Sequence, residues 1–266
     1  MFDQFYGFQP SPFGRDIKVD SLYRDSDRDE IGNRLKYAAK RQLFAVLTGE
    51  SGAGKTTLLR SFNDAVSTSG CTTIYISDSK LTPRHFYKGI LEQLGFEARY
   101  HCGDAKRQLH KEVELLKIVH NIYPVLIVDE AHLLARDMLE EIRFLLNLSM
   151  DSRSPMALIL AGQSELRDKL RLQSYAAIRQ RIDIQCHVNK LDLAATTAYI
   201  KAHLTFAGCE KDIFSDAAID GIYKFSSGIP RLINKVAISS LLFGAQNKKN
   251  IIDDRMVKLV VDSELA

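Results

Sequence analysis

The chain has 266 residues, 45% hydrophobic and 26% charged, and its 36 Lys+Arg against 33 Asp+Glu leave a net charge of +3. That length carries one large core or two unequal domains, and the small basic excess permits a local nucleic-acid-binding patch without demanding one. No stretch approaches the ~18–20 uninterrupted apolar residues of a membrane span, and Cys71, Cys102, Cys186 and Cys209 lack CxxC spacing, which argues against a structural zinc site or disulfide framework.

The opening MFDQFYGFQPSPFGRD is aromatic and acidic rather than basic and then apolar, unlike a signal peptide. The expectation is a soluble cytoplasmic protein with no membrane contact. Residues 1–40 join this opening to a charged helical stretch, RDEIGNRLKYAAKRQ, and are expected to pack on the core as an N-terminal segment. From Leu43 the pattern turns α/β. LFAVLTG reads as a buried strand, KTTLLRSFNDAV as a helix, and TTIYIS as a second strand. Thr82-Pro83 reads as an N-cap and first helical position ahead of HFYKGILEQLGF. Residues 105–120 follow as a helix, then PVLIVDE as a buried strand, LEEIRFLLNLSM as a helix and PMALILAG as a further strand.

Strands alternating with helices imply a parallel sheet covered on both faces, here spanning 41–189. Beyond about 190 the β signal ends. LAATTAYIKAHLTFAG, SDAAIDGIYKFS, PRLINKVAISSLLFGAQ and DRMVKLVVDSEL all read as helices, which makes 190–266 a small all-α unit.

GESGAGKT satisfies G-x-x-x-x-G-K-[ST] in full, between a strand and a helix. Its glycines permit a tight turn that aims backbone N–H groups at phosphate oxygens, and the following helix adds its positive dipole end. Gly49, Glu50, Ser51, Gly52, Ala53, Gly54, Lys55, Thr56 and Thr57 form the expected nucleotide-binding segment. Lys55 is read as reaching the β- and γ-phosphates and Thr56 as a Mg2+ ligand. VLIVDE delivers Asp129 and Glu130 to the tip of a buried strand. There Asp129 suits the Mg2+ shell, and Glu130 suits orienting and deprotonating the attacking water. Gln163 or Ser164, after the next strand, suits contact with the γ-phosphate or the water, although a polar helix cap is the competing reading. Arg179 and Arg181 lie two apart, so they do not share a helix face. Either is a candidate arginine finger or a solvated surface residue. Arg231 opens a helix of the all-α unit and is a candidate γ-phosphate reader or an exposed helix-start arginine.

GESGAGKTTLL, LIVDEAHLL, LILAGQSELRDKL, IRQRI and SSGIPRLIN, in this order, resemble the AAA+ ATPases of the ExeA/GspA-like group, and FYGFQPSPF resembles that group's start. The resemblance implies a P-loop AAA+ core with a five-stranded parallel sheet flanked by helices, a C-terminal all-α lid, and ATP with Mg2+ as substrate and cofactor. It also implies Gln163 as sensor 1, Arg179 or Arg181 as finger, Arg231 as sensor 2, and adenine contacts around Leu22 to Ile31.

Secretion-type members continue into membrane and peptidoglycan-binding modules, whereas stand-alone relatives resemble the Tn7-, Mu- and IS21-type transposition helpers. Because the sequence stops directly after the lid, the second branch is the expectation. On that reading an ATPase assembles with ATP as a homo-oligomeric ring or helical filament, binds double-stranded DNA with little sequence preference, and serves a transposase. The alternative is an ATPase of secretion or envelope assembly acting on protein partners. Lys80, Arg84, Lys88, Lys106 and Arg107 are the DNA-contact candidates, each competing with the reading of a solvated charged face. The DEAH letters at 129–132 are not expected to mark a helicase, which would need a second motor domain where the sequence reads as a helical tail.

Overall fold

The computed structural model describes residues 2–14, 17–78, 82–145 and 154–265. Its contacts divide the chain into two compact units: one of Asp27–Gly49 with Lys55–Val188, and one of Met1–Ser26, Glu50–Gly54 and Asn189–Ala266.

In chain order the elements begin with α1 (Phe2–Tyr6), α2 (Ser26–Arg41), β1 (Phe44–Gly49), α3 (Lys55–Ser67) and β2 (Cys71–Ile76). They continue with α4 (Pro83–Gln93), α5 (Cys102–His120), β3 (Tyr123–Val128), α6 (Arg136–Leu145) and β4 (Ala157–Gly162). The last are α7 (Ser164–Arg171), α8 (Ala176–Arg179), β5 (Ile184–Val188), α9 (Leu193–Phe206), α10 (Asp216–Ser226), α11 (Pro230–Gln246) and α12 (Asp254–Val260). Among the described residues no helix is long and apolar enough to cross a membrane.

The first unit is built on a five-stranded, all-parallel sheet in the order β2-β3-β4-β1-β5. β1 and β4 are buried at every position, because helices cover both faces and no residue there has a solvent side. The order matters for chemistry: β4 lies between β1 and β3, so the residue after β4 emerges between the ends of those two strands. Thr82 caps α4 as its sequence implies, accepting the His85 N–H, with Pro83 at the first helical position. α6 begins at Arg136, three residues ahead of the expected helix, and the expected 146–150 portion lies outside the described residues.

The residues themselves imply four strands, and only the family resemblance implies the fifth. IQCHV is an edge strand whose inward Cys186 and Val188 alternate with exposed Gln185 and half-buried His187, so its apolar signal is too thin to stand out. Its start is fixed by Asp183, whose carboxylate accepts the Phe44 N–H at 2.8 Å.

A second interaction set closes the α4–α5–α6 corner. Glu141 accepts the hydroxyl of Tyr87 and, at 2.7 Å, the ammonium of Lys106. Burial pushes the Glu141 carboxyl up, but these two donors outweigh it and hold it below the ordinary glutamate range.

The second unit has its own core, formed by α9–α12 together with Phe8 and Phe13. The N-terminal segment is therefore divided: residues up to Ser26 join the helical unit, and only α2 belongs to the α/β unit. The Phe13 N–H donates to His203 Nδ1 at 3.2 Å, and the two rings stack with centroids 5.0 Å apart. An isolated parallel bridge between Phe214 and Ile252 ties the start of α10 to the segment before α12.

His203 is 7% exposed, and burial lowers its pKa from 6.5 to about 4. The unfolded chain then binds a proton between those values that the folded chain refuses. Stability should fall as pH drops from about 6.5 to about 4, by roughly 3 kcal/mol from this group. Urea unfolding across that range measures the slope, which a His203→Phe variant should flatten.

Candidate active site

After β1 the chain turns through Glu50–Gly54 into α3. Gly52 and Gly54 hold φ of +81° and +101°, values that side-chain-bearing residues rarely adopt. A Cβ on Gly52 would lie 2.7 Å from the Cβ of Arg231, whereas one on Gly54 would meet nothing within 4 Å. The loop is held by the helical unit at several points. The Arg231 N–H donates to Gly52 O at 3.2 Å, the Arg231 guanidinium to Ser51 Oγ at 3.4 Å, and Lys190 pairs with Glu50 at 2.8 Å.

In the α/β unit, Lys55 is 7% exposed and its ammonium donates to Gly49 O at 2.9 Å. A buried ammonium on the first turn of a helix suits an anion, which would bring a full opposite charge to it. Thr56, on the first turn of α3, donates its hydroxyl to Asp129 Oδ2 at 3.1 Å. Thr57 beside it is exposed.

Asp129 stands at the end of β3 and is 4% exposed. Its Oδ2 also accepts the Tyr75 hydroxyl at 2.8 Å, and its Oδ1 accepts the Glu130 N–H at 2.8 Å. Tyr75 is a partner that sequence reasoning missed. It lies on β2, one strand over from β3, and only the pairing of Tyr75 with Ile127 brings its hydroxyl within reach. Its phenol is pushed well above the ordinary tyrosine range by burial first, then by its hydrogen bond to Asp129 and the charges of Asp129 and Glu130. It therefore stays a donor to the carboxylate across physiological pH.

Glu130 follows in the left-handed region, with φ 51° and ψ 30°, a strained setting for a residue with a side chain. Its Oε2 lies 3.4 Å from His132 Nδ1. Gln163 is the N-cap of α7 but makes no side-chain cap bond, and its N–H donates to His132 Nδ1 at 3.4 Å. Ser164 is the first residue of that helix.

The other expected residues lie apart from this cluster. One guanidinium nitrogen of Arg179 donates to Leu170, Arg171 and Leu172 carbonyls at 3.0, 2.7 and 3.5 Å, which closes the C-terminal end of α7. Arg181 reaches the Arg143 carbonyl at 3.4 Å. Arg179 also lines a cavity of about 250 Å³ with Arg167, Arg171 and His187, and no residue of the glycine loop, Asp129 or Glu130 borders it.

Of the DNA-contact candidates, Lys106 is tied to Glu141, Lys88 pairs with Glu92 at 3.5 Å and Arg107 with Asp104 at 3.6 Å. Arg84 lies over the Tyr100 ring at 4.3 Å. Lys80 lies outside the described residues. Lys106 serves the α4–α5–α6 corner, and the other two pairs are exposed, with little energy in them.

The residues present suit a magnesium nucleotide. A loop of two positive-φ glycines leads into a helix N-terminus, a buried lysine follows, and a hydroxyl and a carboxylate oxygen meet as hard ligands.

The sequence matches the family described as AAA domain over residues 38–170. It is 31% identical over 246 residues to general secretion pathway protein A of Aeromonas hydrophila, covering 91% of this chain and 44% of that protein. The chain thus spans less than half the length of this relative. Among solved structures it superposes on Drosophila ORC bound to DNA with a TM-score of 0.77 at 15% identity, over 100% of this chain and 66% of that one. Cdc6p from Pyrobaculum aerophilum gives 0.66 at 17%, over 98% and 70%. The RuvB Holliday junction branch migration motor of Thermotoga maritima gives 0.61 at 19%, over 97% and 73%. At such identities the likeness is one of fold: the P-loop AAA+ sheet with a helical C-terminal region.

Gly52→Ala should destabilise the protein by about 2–3 kcal/mol, more than the ~1–2 kcal/mol of a left-handed alanine alone, because the added methyl meets Arg231. Gly54→Ala should show the conformational part only. Thermal melts of both variants measure the difference.

Proposed function

Since the chain belongs to the AAA domain family, we propose that it binds ATP with Mg2+ and hydrolyses it to ADP and phosphate, driving work on a protein partner. The observation that supports this most is the 3.1 Å hydrogen bond from Thr56 to Asp129, which joins the two motif residues that would share one metal ion. Bound there, Mg2+ supplies neutralisation of charge on the β- and γ-phosphate oxygens. The chain's own residues do the rest. The N–H groups of the glycine loop and Lys55 bind the phosphates. Glu130 takes the proton of the attacking water onto its carboxylate, and Gln163 orients that water from the adjacent strand tip. Arg231, bonded to two loop residues, reads whether the loop is loaded. Arg179 and Arg181 remain candidates for stabilising charge on a neighbouring copy's nucleotide in an ATP-dependent homo-oligomer, although Arg179 would have to give up its hold on α7.

The partner reading follows the likeness to general secretion pathway protein A, a name that favours secretion or envelope assembly over transposition. The ion pairs of Lys88, Lys106 and Arg107 lower the charge open to phosphates. The rival reading, sequence-tolerant binding of double-stranded DNA in the service of a transposase, has on its side that the Drosophila ORC likeness is to a DNA-bound structure.

Lys55→Ala should cut ATP turnover by roughly 100-fold or more, and Glu130→Gln by about 100- to 1,000-fold with analogue affinity kept within a few-fold. Steady-state phosphate release and titration with a fluorescent ATP analogue measure both. Turnover equal to wild type in both variants overturns the ATPase reading. At low salt, duplex DNA with a non-hydrolysable ATP analogue should give no mobility shift. A shift that appears with analogue and disappears in Lys55→Ala would favour the DNA reading instead.

A further inference from the structure

His132 occupies the short helical turn Ala131–Leu133 that follows Glu130, and its side chain is 10% exposed. One ring nitrogen faces two groups. Nδ1 lies 3.4 Å from Glu130 Oε2 and accepts the Gln163 N–H at 3.4 Å. A ring nitrogen either carries a proton and donates, or carries a lone pair and accepts. While Nδ1 accepts from Gln163 it has no proton for Glu130. Glu130 Oε2 is accordingly shielded from solvent and has no hydrogen-bond partner. An orphaned carboxylate oxygen in that position is costly, and a donor is the one thing that relieves it.

The mount of the ring is firm. Lys169, on α7, donates to His132 O at 3.3 Å and to Leu134 O. A Cβ on Gly162, the last residue of β4, would lie 3.1 Å from the His132 N, so the turn sits tightly on that strand's end. The Glu130 side chain is 46% exposed against 10% for His132, so of the two it has the room to turn.

We infer that His132 is a positioning residue for Glu130, offering a single ring nitrogen for which the Glu130 carboxylate and the Gln163 backbone N–H compete. In one arrangement Gln163 is held and the carboxylate is free to turn toward a water. In the other the ring's single proton has moved from Nε2 to Nδ1, so the ring donates to the carboxylate and holds it back, and the Gln163 N–H is released at the tip of β4. The two residues proposed to handle the attacking water are thereby made to report on one another. This inference rests on the proposed ATPase reading for its consequence, but its core is a statement about two hydrogen bonds.

The test uses the full chain in two ways. Amide hydrogen exchange at Gln163, read by NMR without nucleotide, should lose protection by about 10-fold or more in His132→Ala. It should gain protection in Glu130→Ala, which removes the competitor. Separately, His132→Ala should lower kcat by about 10- to 100-fold with analogue affinity within roughly threefold of wild type. His132→Asn, which returns an amide near the Nδ1 position, should recover a substantial part. In a Glu130→Gln background His132→Ala should add a clearly smaller loss, because the part that the ring exerts through that carboxylate is already gone. Equal losses in both backgrounds, or Gln163 protection unmoved by both alanine variants, overturn the inference. If wild type and Lys55→Ala turn over ATP alike, the activity reading fails, and the Gln163 amide alone then decides the role of His132.

Discussion

A carboxylate at 4% exposure is tolerable only where donors surround it, and Asp129 sets that condition for the whole strand-tip cluster. Its donors come from three places in the chain: Thr56 at the start of α3, Tyr75 on β2 and the backbone of Glu130. Each requires an element to end where it does. β3 must deliver Asp129 past its last rung, β2 must pair in the register that sets Tyr75 opposite Ile127, and α3 must begin at Lys55 so that Thr56 faces the carboxylate. The sheet order supplies the remaining relation, since β4 separates β1 from β3 and carries Gln163 at its end.

Lys55 is a second buried charge, held by the Gly49 carbonyl at 2.9 Å. Two buried ionic side chains, Lys55 and Asp129, make a polar site that an apolar core of the same size would not need. That expense is characteristic of a binding site. Within its own unit the loop is bonded at Ser51 and Gly52 to Arg231 and at Glu50 to Lys190.

Much of this was legible in the sequence where local chemistry is decisive. The glycine loop, the DE pair after four apolar residues, and the Thr82-Pro83 helix start all rest on backbone and capping rules that operate within a few residues. Features that depend on partners distant in the chain were not. Nothing in FYGFQPSPF tells that Phe8 and Phe13 are buried with α9–α12 rather than against the sheet. Arg179 could not be recognised as the cap of α7 until that helix was known to end beside it. β5 escaped because an edge strand with exposed Gln185 and half-buried His187 between its buried positions lacks a continuous apolar run. Tyr75 carried one signal, an aromatic residue on the solvent side of a strand, which is too common to single out.

On the proposed function, Asp129 and Thr56, joined by a 3.1 Å hydrogen bond, would together hold Mg2+ against ATP. The most direct measurement is ATP hydrolysis titrated with Mg2+ for wild type and Asp129→Asn, a change that keeps shape and removes charge. Wild type should show magnesium-dependent turnover and Asp129→Asn a loss of about 100-fold or more, with thermal unfolding still cooperative. A folded Asp129→Asn protein with the wild-type rate and the wild-type magnesium dependence would contradict this role of Asp129.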